Sequence, residues 1–247
     1  MDQSEKQHFD RIAQRYRRAA ETWASMYEQF ETHLNPLIVD KQILDIGNGG
    51  HFAYDKTLPS QIAVLDVSPG MLDRIDDPRV EKLVGDARDL TGIKDGSMDV
   101  ILLILCLHHI NESSAGGSCH TLRQVLKSAR KKLRPDGQLI VAEATASPWV
   151  FSVERFLFCI TRRMLRWFGV SMVFFYSLRY LNDQIASVFN IERSEIKNIP
   201  IPIEGWIDPL GATFPGLISI PGRKHPLKHY VLVAPMKAES MEHVEER

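Results

Sequence analysis

The feature that most constrains this chain is an apolar run that leads directly into a glycine-rich turn, written ILDIGNGG at residues 43–50. Glycines at such a turn let the backbone approach a ligand at distances that a Cβ atom would forbid. A carboxylate, Asp66, ends the next apolar run nineteen residues after Gly47. A carboxylate at that place can accept both hydrogen bonds of a ribose diol. The pair predicts an adenosine-containing ligand at the end of two neighbouring strands.

Short runs rich in leucine or β-branched residues alternate with amphipathic runs from residue 42 onward. This alternation is typical of β-α-β units. We therefore predict an α/β fold with a doubly wound, Rossmann-like, seven-stranded and mostly parallel sheet. The predicted strands are Gln42–Ile46, Ile62–Asp66, Val80–Val84, Met98–Leu103, Gln138–Glu143, Ile191–Ile199 and His229–Ala234. The clearest helix is Thr121–Leu133, and the motif RPDG at 134–137 predicts its end.

The predicted organisation adds helical elements to one core. A predicted helical cap, with Phe9, Ile12, Tyr16 and Ala19 on one face, precedes the sheet. The residues that follow the sheet include few apolar side chains, so we predict a disordered tail there. The predicted parts are the N-terminal cap 1–40, the core 41–146 and 182–236, a helical insertion 147–181, and the disordered tail 237–247.

The insertion at 147–181 is unusually aromatic for a chain with 9% aromatic residues. Its aromatic residues are Trp149, Phe151, Phe156, Phe158, Trp167, Phe168, Phe174, Phe175 and Tyr176. Aromatic faces attract a cation and exclude water, which favours a lid over the substrate. The same pattern is consistent with a helical hairpin or a homodimer interface that leaves Arg162, Arg163 and Arg166 in solvent.

Charge and cysteine content narrow the classes of partner. Thirty basic and thirty-one acidic side chains give a net charge of -1, which argues against a nucleic-acid partner. The three cysteines form neither a metal motif nor a disulfide framework, so we expect no metal and a cytoplasmic location. The first thirty residues lack a signal-like apolar region, and arginines interrupt the longest apolar stretch, so no membrane span is predicted.

The glycine spacing argues against a dinucleotide, because Phe52 stands where the fingerprint G-x-G-x-x-G requires its last glycine. Five segments of the chain resemble, in their order, the motifs of a known family. They are ILDIGNGG, AVLDVSPGML, VGDARDL, SMDVILLILCLHHI and LRQVLKSARKKLRPDGQLIVAE. In this order, over about residues 41–146, they resemble the successive motifs of class I methyltransferases that depend on S-adenosylmethionine (SAM), especially the small-molecule type 11 group.

This resemblance implies SAM as the cofactor and assigns residues to it. The implied residues are Asp45, Gly47, Asn48 and Gly49 around the methionine arm, Asp66 at the ribose, Val67, Ser68, Asp86 and Ala87 at the adenine, and Leu103 and Ile104 beside the sulfonium. The chain departs from the family pattern at one place. His51 stands where the third loop glycine usually falls, and Gly50 comes one position earlier.

Three residues outside the cofactor set are catalytic candidates. His109 could take a proton from a nucleophile, although the His-His pair of the resembled family is commonly structural. Glu143 ends the fifth predicted strand, where it could contact substrate or serve as a capping carboxylate. Tyr176 could hold a sulfonium cation by cation–π contact.

Three functions follow as hypotheses. The first is methyl transfer from SAM to a small, largely apolar metabolite of secondary metabolism, which needs positioning more than acid–base groups. The second is intramolecular cyclisation of SAM with release of methylthioadenosine, similar to azetidine-2-carboxylate-forming enzymes. The third is a non-catalytic subunit that docks on a partner protein through the apolar insertion.

Overall fold

The computed structural model describes residues 24–167, 172–202 and 227–237. The helices are α1 (Ala24–Ile38), α2 (Pro69–Leu72), α3 (Ala115–Lys132), α4 (Pro148–Trp167) and α5 (Leu178–Phe189), with 3-10 turns at Leu107–His109 and Arg193–Glu195. The strands are β1 (Gln42–Ile46), β2 (Gln61–Asp66), β3 (Val80–Val84), β4 (Met98–Ile104), β5 (Leu133–Thr145), β6 (Lys197–Ile201) and β7 (Lys228–Pro235).

These strands form a single seven-stranded sheet in the order β3-β2-β1-β4-β5-β7-β6. Strand β7 runs antiparallel to both of its neighbours, and the pairs among β1 to β5 are parallel. The predicted seven-stranded, mostly parallel α/β fold is therefore confirmed. The chain reverses its direction of travel across the sheet between β1 and β4. Ligands of open α/β sheets bind at such a switch point, beyond the carboxyl ends of the strands.

Helices cover both faces of the sheet, which is why the central strands are apolar on both sides. Helix α1 buries Met26, Phe30, Leu34 and Ile38, spaced four residues apart, against one face. On the other face, α3 packs with α4 and α5 around a second core cluster. Each large apolar side chain buried in this way contributes about 1.5–3 kcal/mol.

Several predicted boundaries differ from the observed ones, and two of the differences have a clear local cause. Helix α3 begins at Ala115, six residues before the prediction, because the Ser114 hydroxyl caps it by accepting a hydrogen bond from the Gly117 N–H. The sixth strand is β6, not Ile191–Ile199. Residues before it form the 3-10 turn Arg193–Glu195, held by a capping box with Glu192.

The RPDG motif ends helix α3 as expected but lies inside β5, which begins at Leu133. Asp136 has a positive φ of 64°, so the chain bends there without leaving the sheet. Residues 1–23 of the predicted cap and 238–247 of the predicted tail lie outside the described residues, as does Phe168. Within the described ranges, the helices are all too short or too polar to cross a bilayer.

Candidate functional site

A cavity of about 750 Å³, including the solvent space at its mouth, opens at the carboxyl ends of β1 to β4. Its wall is mainly apolar. Four strand ends contribute to it: Gly47 and Gly49 after β1, Asp66 and Val67 at β2, Asp86 and Ala87 after β3, and Leu105, Cys106, His109, Ile110, Asn111 and Glu112 after β4. The cavity therefore occupies the switch point of the sheet.

The glycine turn after β1 packs too closely for side chains. Gly47 has a positive φ of 71°, and a Cβ there would lie 2.7 Å from the Cβ of Cys106. Gly50 has a φ of 74°, and its Cβ would lie 2.6 Å from the carbonyl oxygen of Met71. The close approach to α2 thus needs glycine at position 50, and His51 follows it with its ring 4.2 Å from that of Tyr27.

Asp45 lies fully buried at the base of this turn. Its Oδ2 atom accepts hydrogen bonds from the Asn48 side chain at 2.6 Å and from the Tyr54 hydroxyl at 3.0 Å. The other oxygen, Oδ1, and the Oδ1 atom of Asn48 have no hydrogen-bond partner within the described structure. Burial raises the pKa of Asp45 to about 7. The unpartnered oxygen of this carboxyl group and the neighbouring amide oxygen of Asn48 together favour a cationic group.

Asp66 joins the two turns that flank the cavity. One carboxylate oxygen accepts the Gly49 N–H at 3.1 Å, and the other accepts the Ser68 N–H at 2.9 Å. Ser68 is fully buried, and its hydroxyl caps α2 by accepting from the Met71 N–H. Asp66 thereby fixes the position of the turn after β1 relative to the turn after β2.

On the opposite side of the cavity, Arg88 bridges two carboxylates. Its guanidinium donates to Asp86 at 2.7 Å and to Glu112 at 3.0 Å. Burial alone would raise the pKa of Asp86, but hydrogen bonds from the side chain and backbone of Arg88 outweigh it and lower that pKa. Sequence reasoning missed Arg88 and Glu112. Arg88 could have been found from its place two residues after Asp86, but no feature of the sequence indicates Glu112.

Comparison with known proteins identifies this arrangement. Residues 44–141 match a family model described as "Methyltransferase domain". Residues 44–141 are a domain of this methyltransferase family, and solved SAM-dependent methyltransferases share its fold. This confirms the resemblance, and with it SAM as the cofactor. No curated protein sequence matches the chain.

Solved structures share the fold of this methyltransferase domain at low sequence identity. A SAM-dependent methyltransferase of Thermotoga maritima is 16% identical with a TM-score of 0.60, covering 93% of this chain and 98% of its own. The 1,6-didemethyltoxoflavin-N1-methyltransferase of Burkholderia thailandensis is 13% identical with a TM-score of 0.56, covering 95% and 88%. A Haloferax volcanii methyltransferase, in complex with the activator Trm112, is 15% identical with a TM-score of 0.59, covering 93% and 97%.

The residues of the methyltransferase domain fit SAM chemically. The cofactor has a cationic amino group. The buried Oδ1 atoms of Asp45 and Asn48 have no hydrogen-bond partner in the described structure, although neither residue lines the cavity itself. Any side chain at Gly47 would collide with Cys106 in the cavity wall. Asp66 and Asp86 place carboxylates in the wall at the ends of neighbouring strands, where hydroxyl and amino donors can be recognised.

The structure does not bring Leu103 and Ile104 to the cavity wall of the methyltransferase domain. Both are buried in the sheet core. The wall instead contains the next two residues, Leu105 and Cys106. Leu105 has a positive φ of 49°, which ends β4 and turns the chain across the site.

The three catalytic candidates are separated in space. His109 lines the cavity. Glu143 is fully buried outside the wall, where it accepts hydrogen bonds from the Leu107 N–H, the Ala144 N–H and His108 Nδ1. Glu143 thus anchors the 3-10 turn that carries His109.

Tyr176 is also outside the wall, as are the other described aromatic residues of the insertion. It is 1% exposed, its hydroxyl donates to the Ser118 carbonyl at 3.1 Å, and its ring packs against Phe174 and Tyr180. Phe174 and Phe151 belong to the same core cluster. This position assigns Tyr176 a packing role and separates it from the cofactor.

Proposed function

We propose that this protein transfers the methyl group of SAM to a small, largely apolar metabolite, within secondary metabolism and in a reducing, cytoplasmic compartment. The observation that carries the proposal is the mainly apolar cavity at the switch point, with carboxylates at the ends of β2 and β3. The Burkholderia methyltransferase of the same fold has the small molecule 1,6-didemethyltoxoflavin bound, which supports an acceptor of this size.

We assign the cofactor residues as follows. Gly47 and Gly49 admit the cofactor, Asp45 and Asn48 hold its amino group, Asp66 holds the ribose, and Val67, Asp86 and Ala87 surround the adenine. Ser68 acts through its cap on α2, which positions Val67 and Asp66. We assign the part of the wall from His109 to Glu112 to binding of the methyl acceptor.

SAM supplies an electrophilic methyl group, so the protein has mainly to orient the acceptor and exclude water. His109 lies in the wall where it can receive the acceptor's proton. Cys106 also lies in the wall, but burial, followed by the negative charges of Glu143, Asp45 and Asp66, raises the pKa of its thiol well above the usual value. A neutral thiol is a weak nucleophile, so Cys106 does not compete with the acceptor.

The first test is thermal denaturation of the protein with and without SAM, on wild type, Asp66→Ala, Asp66→Asn and Asp76→Asn. We expect SAM to raise the melting temperature of wild type and of Asp76→Asn, whose exposed carboxylate is outside the wall. Asp66→Ala should bind SAM roughly 10- to 100-fold more weakly, because charged hydrogen bonds to the ligand contribute about 1.5–3 kcal/mol. An unchanged SAM shift in Asp66→Ala would contradict the ribose assignment.

The second test separates the reactions by their products. The protein is incubated with SAM, alone and with a panel of apolar hydroxyl and amine acceptors, and the products are identified by mass spectrometry. S-adenosylhomocysteine that forms only with an acceptor supports methyl transfer. Methylthioadenosine formed from SAM alone together with a new small amino acid, both absent without the protein, would establish cyclisation instead. Absence of any SAM-induced melting shift would favour the non-catalytic subunit.

A further inference from the structure

Helix α4 has two apolar faces, and only one of them is in the core. Phe151 and Phe158 are buried in the aromatic cluster that contains Phe174. The opposite face carries what we call the outer stripe, with side chains spaced mainly three or four residues apart. The outer stripe consists of Trp149, Val153, Phe156, Leu157, Ile160, Met164 and Trp167. Phe156 is 86% exposed and Trp167 is 87% exposed, so its largest side chains lie in solvent.

The charges on α4 are almost entirely positive. Arg163 and Arg166 are exposed along one flank of the outer stripe, and the exposed Arg155 lies farther round the helix, with its guanidinium 5.6 Å from the centre of the Phe151 ring. The sole acidic residue of the helix, Glu154, is half-buried, and burial raises its pKa to about 7. The solvent side of α4 therefore combines an apolar stripe with a row of arginines, which is complementary to a negatively charged apolar boundary.

We propose that the outer stripe of α4 lies on the surface of an anionic lipid bilayer. A helix parallel to the membrane would place its apolar side chains at the boundary between headgroups and acyl chains, with the arginines near lipid phosphates. Trp149 and Trp167 are about 27 Å apart along the helix, given its rise per residue. Both belong to the same stripe, so both would lie at the interfacial depth that tryptophan favours.

A second copy of the chain is a poorer occupant of this face. Two α4 helices in contact would bring their arginines together, with only the half-buried Glu154 of each helix as an acidic group. An anionic bilayer has no such repulsion and supplies the missing negative charge. The charge pattern therefore favours lipid over self-association.

The outer stripe lies on the helix that contacts the rim of the cavity. The guanidinium of Arg162 donates to the carbonyl oxygen of Glu112, and Glu112 lines the cavity. Contact with a bilayer would thus bring the site close to apolar compounds dissolved in it. Membrane binding itself does not depend on methyl transfer, so it can be tested separately.

The test is co-sedimentation of the full chain with vesicles of phosphatidylcholine alone, or of phosphatidylcholine and phosphatidylglycerol in equal parts. We expect binding to the anionic vesicles that weakens as salt is added. Arg163→Gln/Arg166→Gln should lower the partition coefficient roughly 30-fold. Lys127→Gln/Lys131→Gln removes the same charge from exposed positions on α3 and should leave binding unchanged. Equal losses in the two variants would overturn the proposal.

The apolar part is tested with Phe156→Glu/Ile160→Glu, which should abolish sedimentation with vesicles. Its control, Gln124→Glu/Lys127→Gln, changes the net charge equally on the exposed face of α3 and should still bind. An unchanged SAM melting shift in each variant would show that the fold and the cofactor site are intact. The proposal is overturned if wild type does not bind anionic vesicles. If wild type is then also a dimer, and Phe156→Glu/Ile160→Glu is a monomer, the outer stripe is an interface between two copies of the chain.

Discussion

At the scale of single residues, Asp45 has the most unusual environment in the site. It is a carboxyl group with no exposure, and its pKa is raised from 3.8 to about 7 by burial. Between these two pH values, the folded protein therefore holds a proton on Asp45 that the unfolded chain has largely lost. Because the folded state binds more protons between these values, its stability falls as the pH rises through that interval, by as much as ~4 kcal/mol.

Asp45→Asn should remove this dependence. An asparagine oxygen can still accept from Asn48 and Tyr54, so we expect a SAM-free protein that is more stable than wild type above pH 7. The same variant should bind SAM more weakly, because it lacks the charge that pairs with the amino group. Urea denaturation between pH 4 and pH 8 measures the first effect, with Asp76→Asn as the control. A slope equal to that of wild type would mean that Asp45 is ionised in the folded state.

The site residues that could be predicted are those placed by the end of a single strand. Asp66 ends β2 and Asp86 comes two residues after β3, so their place at the carboxyl edge of the sheet could be predicted from the pattern alone. Arg88 and Glu112 are 24 residues apart, and their ion pair exists only because β3 and β4 end on the same edge. Cys106 reaches the wall because Leu105 turns the chain, which no residue-type preference indicates.

At the scale of elements, the 3-10 turn Leu107–His109 depends on one side chain. The carboxylate of Glu143 accepts from the turn's first N–H at 3.0 Å and from His108 Nδ1 at 2.7 Å. The His108 ring in turn stacks on Phe175 at 5.0 Å between ring centres. Glu143 is therefore a positioning residue for His109, and the sequence could not distinguish this from substrate contact.

Glu143→Ala should lower the free energy of unfolding by about 3 kcal/mol, because several buried donors lose their acceptor. Glu143→Gln keeps one acceptor oxygen, so its free energy of unfolding should fall by less than that of Glu143→Ala. Urea denaturation gives both values. If the two variants unfold like wild type while turnover is lost, Glu143 touches the substrate after all.

At the scale of the whole molecule, the aromatic cluster around Tyr176 joins the segment after β5 to the main core. Tyr176 contacts Phe151 in α4, Tyr180 in α5 and the Ser118 carbonyl in α3. The aromatic content of 147–181 correctly signalled an apolar element. It could not show which rings would face inward, since that depends on how α4 sits against α3 and α5.

Tyr176→Ala should lower the free energy of unfolding by about 3–5 kcal/mol, as expected for a large buried side chain. Tyr176→Phe removes only the hydrogen bond to Ser118 and should cost about 1 kcal/mol. Thermal denaturation measures both, and turnover per folded molecule should stay near that of wild type. A loss of turnover in Tyr176→Phe at unchanged stability would show that the Tyr176 hydroxyl takes part in catalysis.

The antiparallel strand β7 has a consequence for synthesis of the chain on the ribosome. It lies between β5 and β6, although it follows both in sequence. In a nascent chain that has emerged only as far as β6, no other strand of the described ranges can pair with β6, because its partner there is β7. Such a chain also leaves the edge of β5 open along the length that β7 later covers, from Gln138 to Thr145. An open strand edge is a template for unwanted pairing. The growing protein therefore carries an unprotected edge on β5 until β7 has left the exit tunnel.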